Sequence, residues 1–242
     1  MKSTSLKFCA LAAVVFCLPA VVRANYIDFI VDGGFILVAD SGNPDSAVQI
    51  GNPGNILGSE REVDLTFSSG SGVISAAVLG VPPVPPVGPN PNIVMLFSNS
   101  VDSRGELTLT YDGVGSAGFG PSNFSSMWNF IQVDMALVQG AGHLTVEVTD
   151  TSSNSGSLTG LVNSAGTYSF PFANGAYAAV DFTMVDSVVV TLDTAIAASD
   201  FAIRSITREA RPGQNVIPEP ASMLLALIGL VGLAGVSHKL RK

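Results

Sequence analysis

The stretch His143-Leu-Thr-Val-Glu-Val-Thr149 alternates apolar and polar residues without a break. Its apolar members are Leu144, Val146 and Val148, and the threonines and the glutamate fall between them. Successive side chains of a strand point to opposite faces, so this period of two is typical of a strand with one buried face. The stretch therefore predicts a β-strand that covers a hydrophobic core.

The same pattern recurs through most of the chain. Residues 63–67 and 106–111 also alternate clearly, and Gly, Asn, Asp, Ser and Pro cluster between the apolar segments, as turns require. Further candidate strands are 35–39, 72–79, 93–98, 130–137, 157–162, 167–172, 187–192 and 201–207. Before Ala221 the sequence suggests only single helical turns, near 122–128 and 193–199. Short strands with turn signals every ten residues or so indicate an all-β protein. We predict a jelly-roll-like β-sandwich for residues 25–210.

A proline-rich segment interrupts these strands. Residues 81–91 read V-P-P-V-P-P-V-G-P-N-P, and proline donates no hydrogen bond to a sheet. We predict an extended polyproline loop that joins two strands. The alternative is a segment that docks into an aromatic groove of a partner.

The N-terminus has the features of a secretory signal peptide. Lys2 and Lys7 supply a positive start, residues 8–22 are apolar, and a signal peptidase is expected to cut between Ala24 and Asn25. A cut near residues 18–20 and a retained anchor are the alternatives. We therefore assign residues 1–24 to an N-terminal signal-peptide helix. Both cysteines of the chain lie in this segment, so the processed protein can form no disulfide.

The C-terminus has three parts in a fixed order. After a linker at 211–217 come Pro218, Glu219 and Pro220, then an uncharged apolar run at 221–236, then the basic residues Lys239, Arg241 and Lys242. Sixteen helical residues reach about 24 Å, which is short of the roughly 30 Å hydrocarbon core, but flanking basic side chains can snorkel. We predict a single transmembrane helix at 221–236. Its basic end belongs on the cytoplasmic side, so the rest of the chain lies outside.

This tail, residues 218–242, resembles the PEP-CTERM sorting signal of Gram-negative bacteria. The resemblance implies recognition by an exosortase, a membrane cysteine protease-transpeptidase that cuts near the Pro-Glu-Pro motif. Under that interpretation the membrane contact through 221–236 is transient. The protein is then exported through the inner membrane and reaches the cell surface or the medium after C-terminal processing. The alternative is an ordinary C-terminal anchor.

The charge of the body excludes one class of partner. Residues 25–215 contain 18 acidic residues against five arginines and no lysine, a net charge of −13. Phosphate backbones repel such a surface, so we expect no nucleic-acid partner.

No pattern in the body indicates catalysis. His143 is its one histidine, and no serine lies in the sharp Gly-x-Ser-x-Gly turn that exposes a nucleophile. Glycoside hydrolysis needs two carboxylates across a cleft, and nothing in the spacing of Asp112, Asp134, Glu147 and Asp150 selects a pair. We therefore predict no catalytic residues and no enzyme. One histidine without cysteine also argues against zinc.

Four short segments of the body resemble bacterial galactose-binding-like jelly-roll domains. They are 26–29, 56–63, 107–113 and 200–203. The resemblance implies a structural calcium near the joined chain ends, and calcium takes six to eight oxygen ligands. Candidate ligands are Asp28, Asp32, Asp40, Asp45, Glu60, Glu62 and Asp200. We predict no dedicated metal site or cofactor, and calcium is the alternative to ordinary solvated acids.

Sugar binding would require exposed aromatic rings, and the candidates are Trp128, Tyr26, Tyr111, Tyr168 and Tyr177. For Trp128 the sequence favours a core position beside Met127 and Phe130. We predict a non-enzymatic cell-surface or extracellular-matrix protein, with signal peptidase and exosortase as partners. An exopolysaccharide-binding module is the alternative, and a secreted hydrolase is the third candidate.

Overall fold

The computed structural model describes residues 26–28, 30, 34–51, 55–79, 94–120, 122–125 and 128–209. Several predicted features lie outside the described residues. They are the signal peptide at 1–24 with its cut between Ala24 and Asn25, the calcium candidate Asp32, and the loop at 81–91. The linker at 211–217, the sorting motif and the helix at 221–236 lie outside them too. Among the described residues, no helix is long and apolar enough to cross a membrane.

The described residues form thirteen strands and two short 3₁₀ turns. The strands are β1 Tyr26–Asp28, β2 Ile36–Ala39, β3 Asp45–Ile50, β4 Glu60–Gly70, β5 Ile74–Leu79, β6 Val94–Asn99, β7 Ser103–Tyr111, β8 Phe130–Gln139, β9 Gly142–Asp150, β10 Ser155–Val162, β11 Gly166–Pro171, β12 Val185–Thr194 and β13 Asp200–Glu209. The 3₁₀ turns are Leu57–Ser59 and Gly175–Tyr177.

These strands make two antiparallel sheets. The seven-stranded sheet has the order β11-β8-β13-β6-β5-β2, with β1 added beside β13. The six-stranded sheet has the order β10-β9-β12-β7-β4-β3. Most connections along the chain pass from one sheet to the other, as in a jelly roll. The predicted all-β, jelly-roll-like β-sandwich is confirmed.

The core lies between the sheets and follows the alternation in the sequence. In the six-stranded sheet Val190 pairs with Val146 on one side and with Leu109 on the other, and all three are buried. In the seven-stranded sheet Val133 pairs with Ile206, and both are buried. Residues 143–149 therefore form most of β9, with Leu144, Val146 and Val148 in the core as predicted.

Local predictions fail where burial departs from simple alternation. The sequence did not predict β1 or β3, and β4 starts three residues before the predicted 63–67. Residues 60–62 pair with β3 there, and the buried charged residues Glu60 and Arg61 break the apolar alternation that marks a strand. The suggested turn at 193–199 is wrong for Asp193 and Thr194, which end β12. Near 122–128 the chain instead bridges to β12, through Ser122 and Val185. The described residues contain no α-helix.

Candidate functional site

A polar cleft of about 230 Å³ lies on the outer face of the seven-stranded sheet. The lining comes from four adjacent strands: Tyr26 of β1, Gln132 and Asp134 of β8, Thr167 of β11, and Arg204, Ser205, Thr207 and Glu209 of β13. In β8 the core takes Ile131, Val133 and Met135, so the intervening side chains face outward. We call this set of residues the outer-face cleft.

Strand register places the lining side chains in rows across the sheet. Thr167 pairs with Asp134, which pairs with Ser205 on its other side. One step along, Gln132 pairs with Thr207, which pairs with Tyr26 of β1. Side chains directly opposite on antiparallel strands are close enough to interact. The rows therefore bring hydroxyl, amide and charged side chains of adjacent strands side by side.

The positive group of the cleft is Arg204, which is paired. Its Nη1 donates to Asp134 Oδ2 at 2.7 Å, and about a third of each side chain is exposed. The Nε of Arg204 is buried and has no hydrogen-bond partner among the described residues. Gln132 Nε2 donates to Ser169 Oγ at 3.2 Å beside this pair. The cleft thus contains charged, amide and hydroxyl groups within one surface.

Tyr26 forms one wall of the cleft and is partly buried. Desolvation raises the pKa of its hydroxyl above the ordinary value, and the nearby Glu209 carboxylate raises it further. The phenol is therefore neutral at physiological pH, with a hydroxyl that donates and accepts.

Behind the cleft strand β1 anchors a buried charge cluster. Asp28 and Arg61 form an ion pair in which both side chains are fully buried. The other Asp28 contacts are Tyr111 Oη, which donates at 2.7 Å, and Ile30 N, which donates at 2.6 Å. Burial raises the pKa of Tyr111 well above its ordinary value, and Asp28 adds to this effect. Asp28 is thus a structural residue of the core.

Each of the other described calcium candidates accepts hydrogen bonds from a different set of neighbours. Asp40 accepts from Gly42 and Asn43 in its own turn, and Asp45 accepts from Val38 N. The remaining carboxylates accept from other groups: Glu60 from Gly115, Glu62 from Ser116, and Asp200 from Ser98. The described part of the chain holds no group of three or more His, Cys, Asp or Glu side chains that could bind a metal. With Asp32 outside the described residues, the lack of a dedicated metal site stays a prediction, and calcium stays its alternative.

The acids considered for glycoside hydrolysis are not brought to one cleft. Glu147 and His143 are exposed on β9 of the six-stranded sheet, whereas Asp134 lies on β8 of the other sheet. The Asp150 carboxylate accepts hydrogen bonds from the backbone N–H groups of Ser152, Asn154 and Asp181 and from the side-chain amide of Asn154. Asp112 follows the end of β7.

The aromatic candidates have different environments. Tyr111 and Tyr177 are buried, and Tyr177 Oη donates to Val146 O at 2.8 Å. Tyr168 Oη donates to Ser164 O at 2.6 Å at the β10–β11 connection. Trp128 is partly buried, with the Arg208 guanidinium 5.7 Å from its ring. Tyr26 is the aromatic residue of the cleft, which alternation alone could not show.

The sorting residues Pro218, Glu219, Pro220, Lys239, Arg241 and Lys242 lie outside the described residues, but sequence comparison covers them. Residues 216–242 match the family model of the PEP-CTERM protein-sorting motif. This motif marks an exported protein that an exosortase sorts to the cell envelope or surface. No curated protein matches the sequence.

Three of the solved structures that the chain resembles are an agarase and two carbohydrate-binding modules. An exo-beta-agarase is 9% identical with a TM-score of 0.39, over 63% of this chain and 24% of its own. TmCBM61 in complex with beta-1,4-galactotriose is 9% identical with a TM-score of 0.35, over 62% and 88% of the two chains. A family 11 carbohydrate-binding module from Clostridium thermocellum is 14% identical with a TM-score of 0.32, over 72% and 95%. The chain thus spans only about a quarter of the agarase.

Proposed function

We propose that this protein is an exported, non-enzymatic component of the cell surface or the extracellular matrix. The PEP-CTERM motif at 216–242 carries this proposal. A Pro-Glu-Pro motif, an apolar run and a basic end form a segment that can stop in a membrane while the motif stays outside. The β-sandwich is the part of the protein that this segment directs to the surface or the matrix.

Delivery takes three steps under this proposal. Translocation through the inner membrane comes first, and signal peptidase cuts between Ala24 and Asn25. The segment 221–236 then holds the body at the membrane, with Lys239, Arg241 and Lys242 on the cytoplasmic side. An exosortase finally cuts near Pro218, Glu219 and Pro220, and the body reaches the surface or the matrix.

The absence of an enzymatic role is part of the proposal. In support, the described candidates Glu147 and Asp134 lie on different sheets, and the Asp150 carboxylate is engaged by its turn. Glycosidases need two carboxyl groups about 5–10 Å apart on either side of one bond. Under this proposal the body is a structural component of the surface or the matrix.

The test is processing in matched hosts. Expression with and without a cognate exosortase, followed by intact-mass measurement, should give a species that ends near residues 218–220 only when the enzyme is present. Glu219→Ala should leave the full-length tail in place in both hosts. Glu147→Ala is the matched control, because it removes an exposed glutamate of the body. Retention of 221–242 in both hosts would make the tail a permanent anchor and contradict the proposal.

A second candidate function is polysaccharide binding. The outer-face cleft favours it, because the cleft combines a tyrosine ring with charged, amide and hydroxyl groups on one exposed surface. A sugar hydroxyl both donates and accepts hydrogen bonds, so a surface that offers hydroxyl, amide and charged groups together suits a sugar.

A further inference from the structure

The outer-face cleft contains an irregularity that regular strand pairing does not require. Along β13, Ile203 pairs with Met135 of β8, and Ser205 pairs with the next residue, Asp134. Arg204 is therefore an extra residue on β13, which is a β-bulge. As a result Arg204 and Ser205, although consecutive, both line the cleft. Bulges often redirect a side chain beside a binding site.

The bulge leaves Arg204 only partly satisfied. A guanidinium has five N–H donors. Among the described residues its one hydrogen bond goes to Asp134, and the buried Nε has no partner. About a third of the Arg204 side chain is exposed, so the guanidinium donors beyond the one that Asp134 engages can reach a ligand in the cleft.

The charge of the cleft restricts what this ligand can be. Arg204 is neutralised by Asp134, and Glu209 adds a negative charge. The whole body carries a net charge of −13. An anionic polymer would be repelled at long range and would meet no unpaired cation in the cleft. The lining hydroxyls and Gln132 instead offer donors and acceptors side by side, which suits a ligand rich in hydroxyl groups.

We propose that the outer-face cleft binds one or two uncharged sugar residues within a polysaccharide. The Arg204–Asp134 pair would donate to and accept from neighbouring sugar hydroxyls, and Tyr26 would pack its ring against the apolar face of a sugar. The volume of about 230 Å³ is below the roughly 300–1,000 Å³ of pockets for drug-sized ligands, which limits the occupant to one or two sugar rings. This inference rests on the second candidate function and is independent of sorting by the exosortase.

The experiment measures binding of the full-length chain in a detergent without a sugar headgroup. The probes are mixed-linkage β-glucan, β-1,4-galactan and agarose oligosaccharides, with alginate as the anionic comparison. We expect binding to at least one neutral probe and none to alginate. Tyr26→Leu and Arg204→Ala should each weaken binding at least about tenfold, because the first removes the ring that packs against the sugar and the second removes charged donors to its hydroxyl groups.

The matched control is Arg104→Ala, an exposed arginine on β7 of the other sheet. Its binding should equal that of the wild type. Tyr26→Leu keeps an apolar side chain in β1, and its thermal unfolding verifies that the sheet is intact. Neutral-glycan binding that survives both cleft variants would overturn the cleft as the site and leave polysaccharide binding standing. Failure to bind any neutral probe, or tighter binding to alginate, would overturn the inference itself.

Discussion

Arg61 is a fully buried cation, and its position depends on a residue 33 positions away in the sequence. Its guanidinium pairs with Asp28 and also donates to Gln49 Oε1 on β3. Asp28 in turn holds Tyr111 of β7. Three strands of one sheet and β1 of the other therefore meet at this cluster. An unpaired charge at such a site is costly, because the interior cannot replace its hydration.

The first prediction concerns this pair. Asp28→Leu should lower the free energy of unfolding by about 3–5 kcal/mol, because it leaves Arg61 buried without its counter-charge. Adding Arg61→Met should recover most of that loss. Urea unfolding followed by circular dichroism measures both. Asp64→Leu, an exposed position on β4, is the control and should change stability by less than about 0.5 kcal/mol. Equal stability of Asp28→Leu and wild type would contradict the structural role.

The sequence could not assign these roles at the residue scale. Asp28 was a calcium candidate because acids crowd the start of the body, and nothing local distinguishes a metal ligand from a buried counter-ion. The pairing partner of Asp28 is set by the approach of β1 to the two sheets, which is a tertiary contact. Tyr26 shows the same limit, since its place in the cleft depends on pairing with Thr207 of β13.

At the scale of elements, one carboxylate organises the β9–β10 turn. Asp150 Oδ1 accepts from Ser152 N at 2.8 Å and from Asn154 N at 3.0 Å, which shapes the turn. Its Oδ2 accepts from Asp181 N at 3.0 Å, which ties the turn to the segment before β12. These hydrogen bonds, led by the one from Asp181, lower the pKa of Asp150 from 3.8 to about 2.

The second prediction is a pH dependence of this turn. A lowered folded-state pKa adds stability above the unfolded pKa and loses it as the pH falls through the folded value. Asp150→Asn should therefore lower Tm at pH 6, and the difference from wild type should shrink between about pH 4 and pH 2. Thermal scans across that range measure it. Thr159→Ala removes the hydroxyl contact with Thr145 on the same hairpin and should give a pH-independent difference. A constant Asp150→Asn difference down to pH 2 would contradict the assignment.

The sequence predicts a strand correctly where apolar residues alternate with polar ones and the apolar residues are the buried ones. The segments 106–111 and 143–149 lie inside β7 and β9 because every second residue is apolar and enters the core. By contrast β3 has the exposed apolar residues Val48 and Ile50 on its outer face, so its pattern gave no clear signal. The bulge at Arg204 is invisible for a further reason, since it is defined only by the pairing with β8.

At the scale of the whole molecule, the sorting signal and the outer-face cleft depend on the sequence in different ways. The sorting signal is linear, so Pro218, Glu219, Pro220 and the segments after them could be recognised without a fold. The outer-face cleft depends on four strands brought together by the sandwich, including β1 at the start of the body and β13 at its end. The sorting signal was therefore predictable from the sequence, whereas the outer-face cleft was not.

The last prediction follows from the charge of the whole body. A net charge of −13 favours expansion by self-repulsion, because 18 acidic residues face five arginines in the body. Raising NaCl from 10 to 150 mM shortens the Debye length from about 30 Å to about 8 Å. Tm should rise by roughly 2–4 °C, the shift that about 1 kcal/mol gives a domain of this size. Asp64→Lys with Asp102→Lys, both exposed positions, should raise Tm at low salt and flatten the salt dependence. A fall in Tm with salt would show instead that attractive surface pairs dominate.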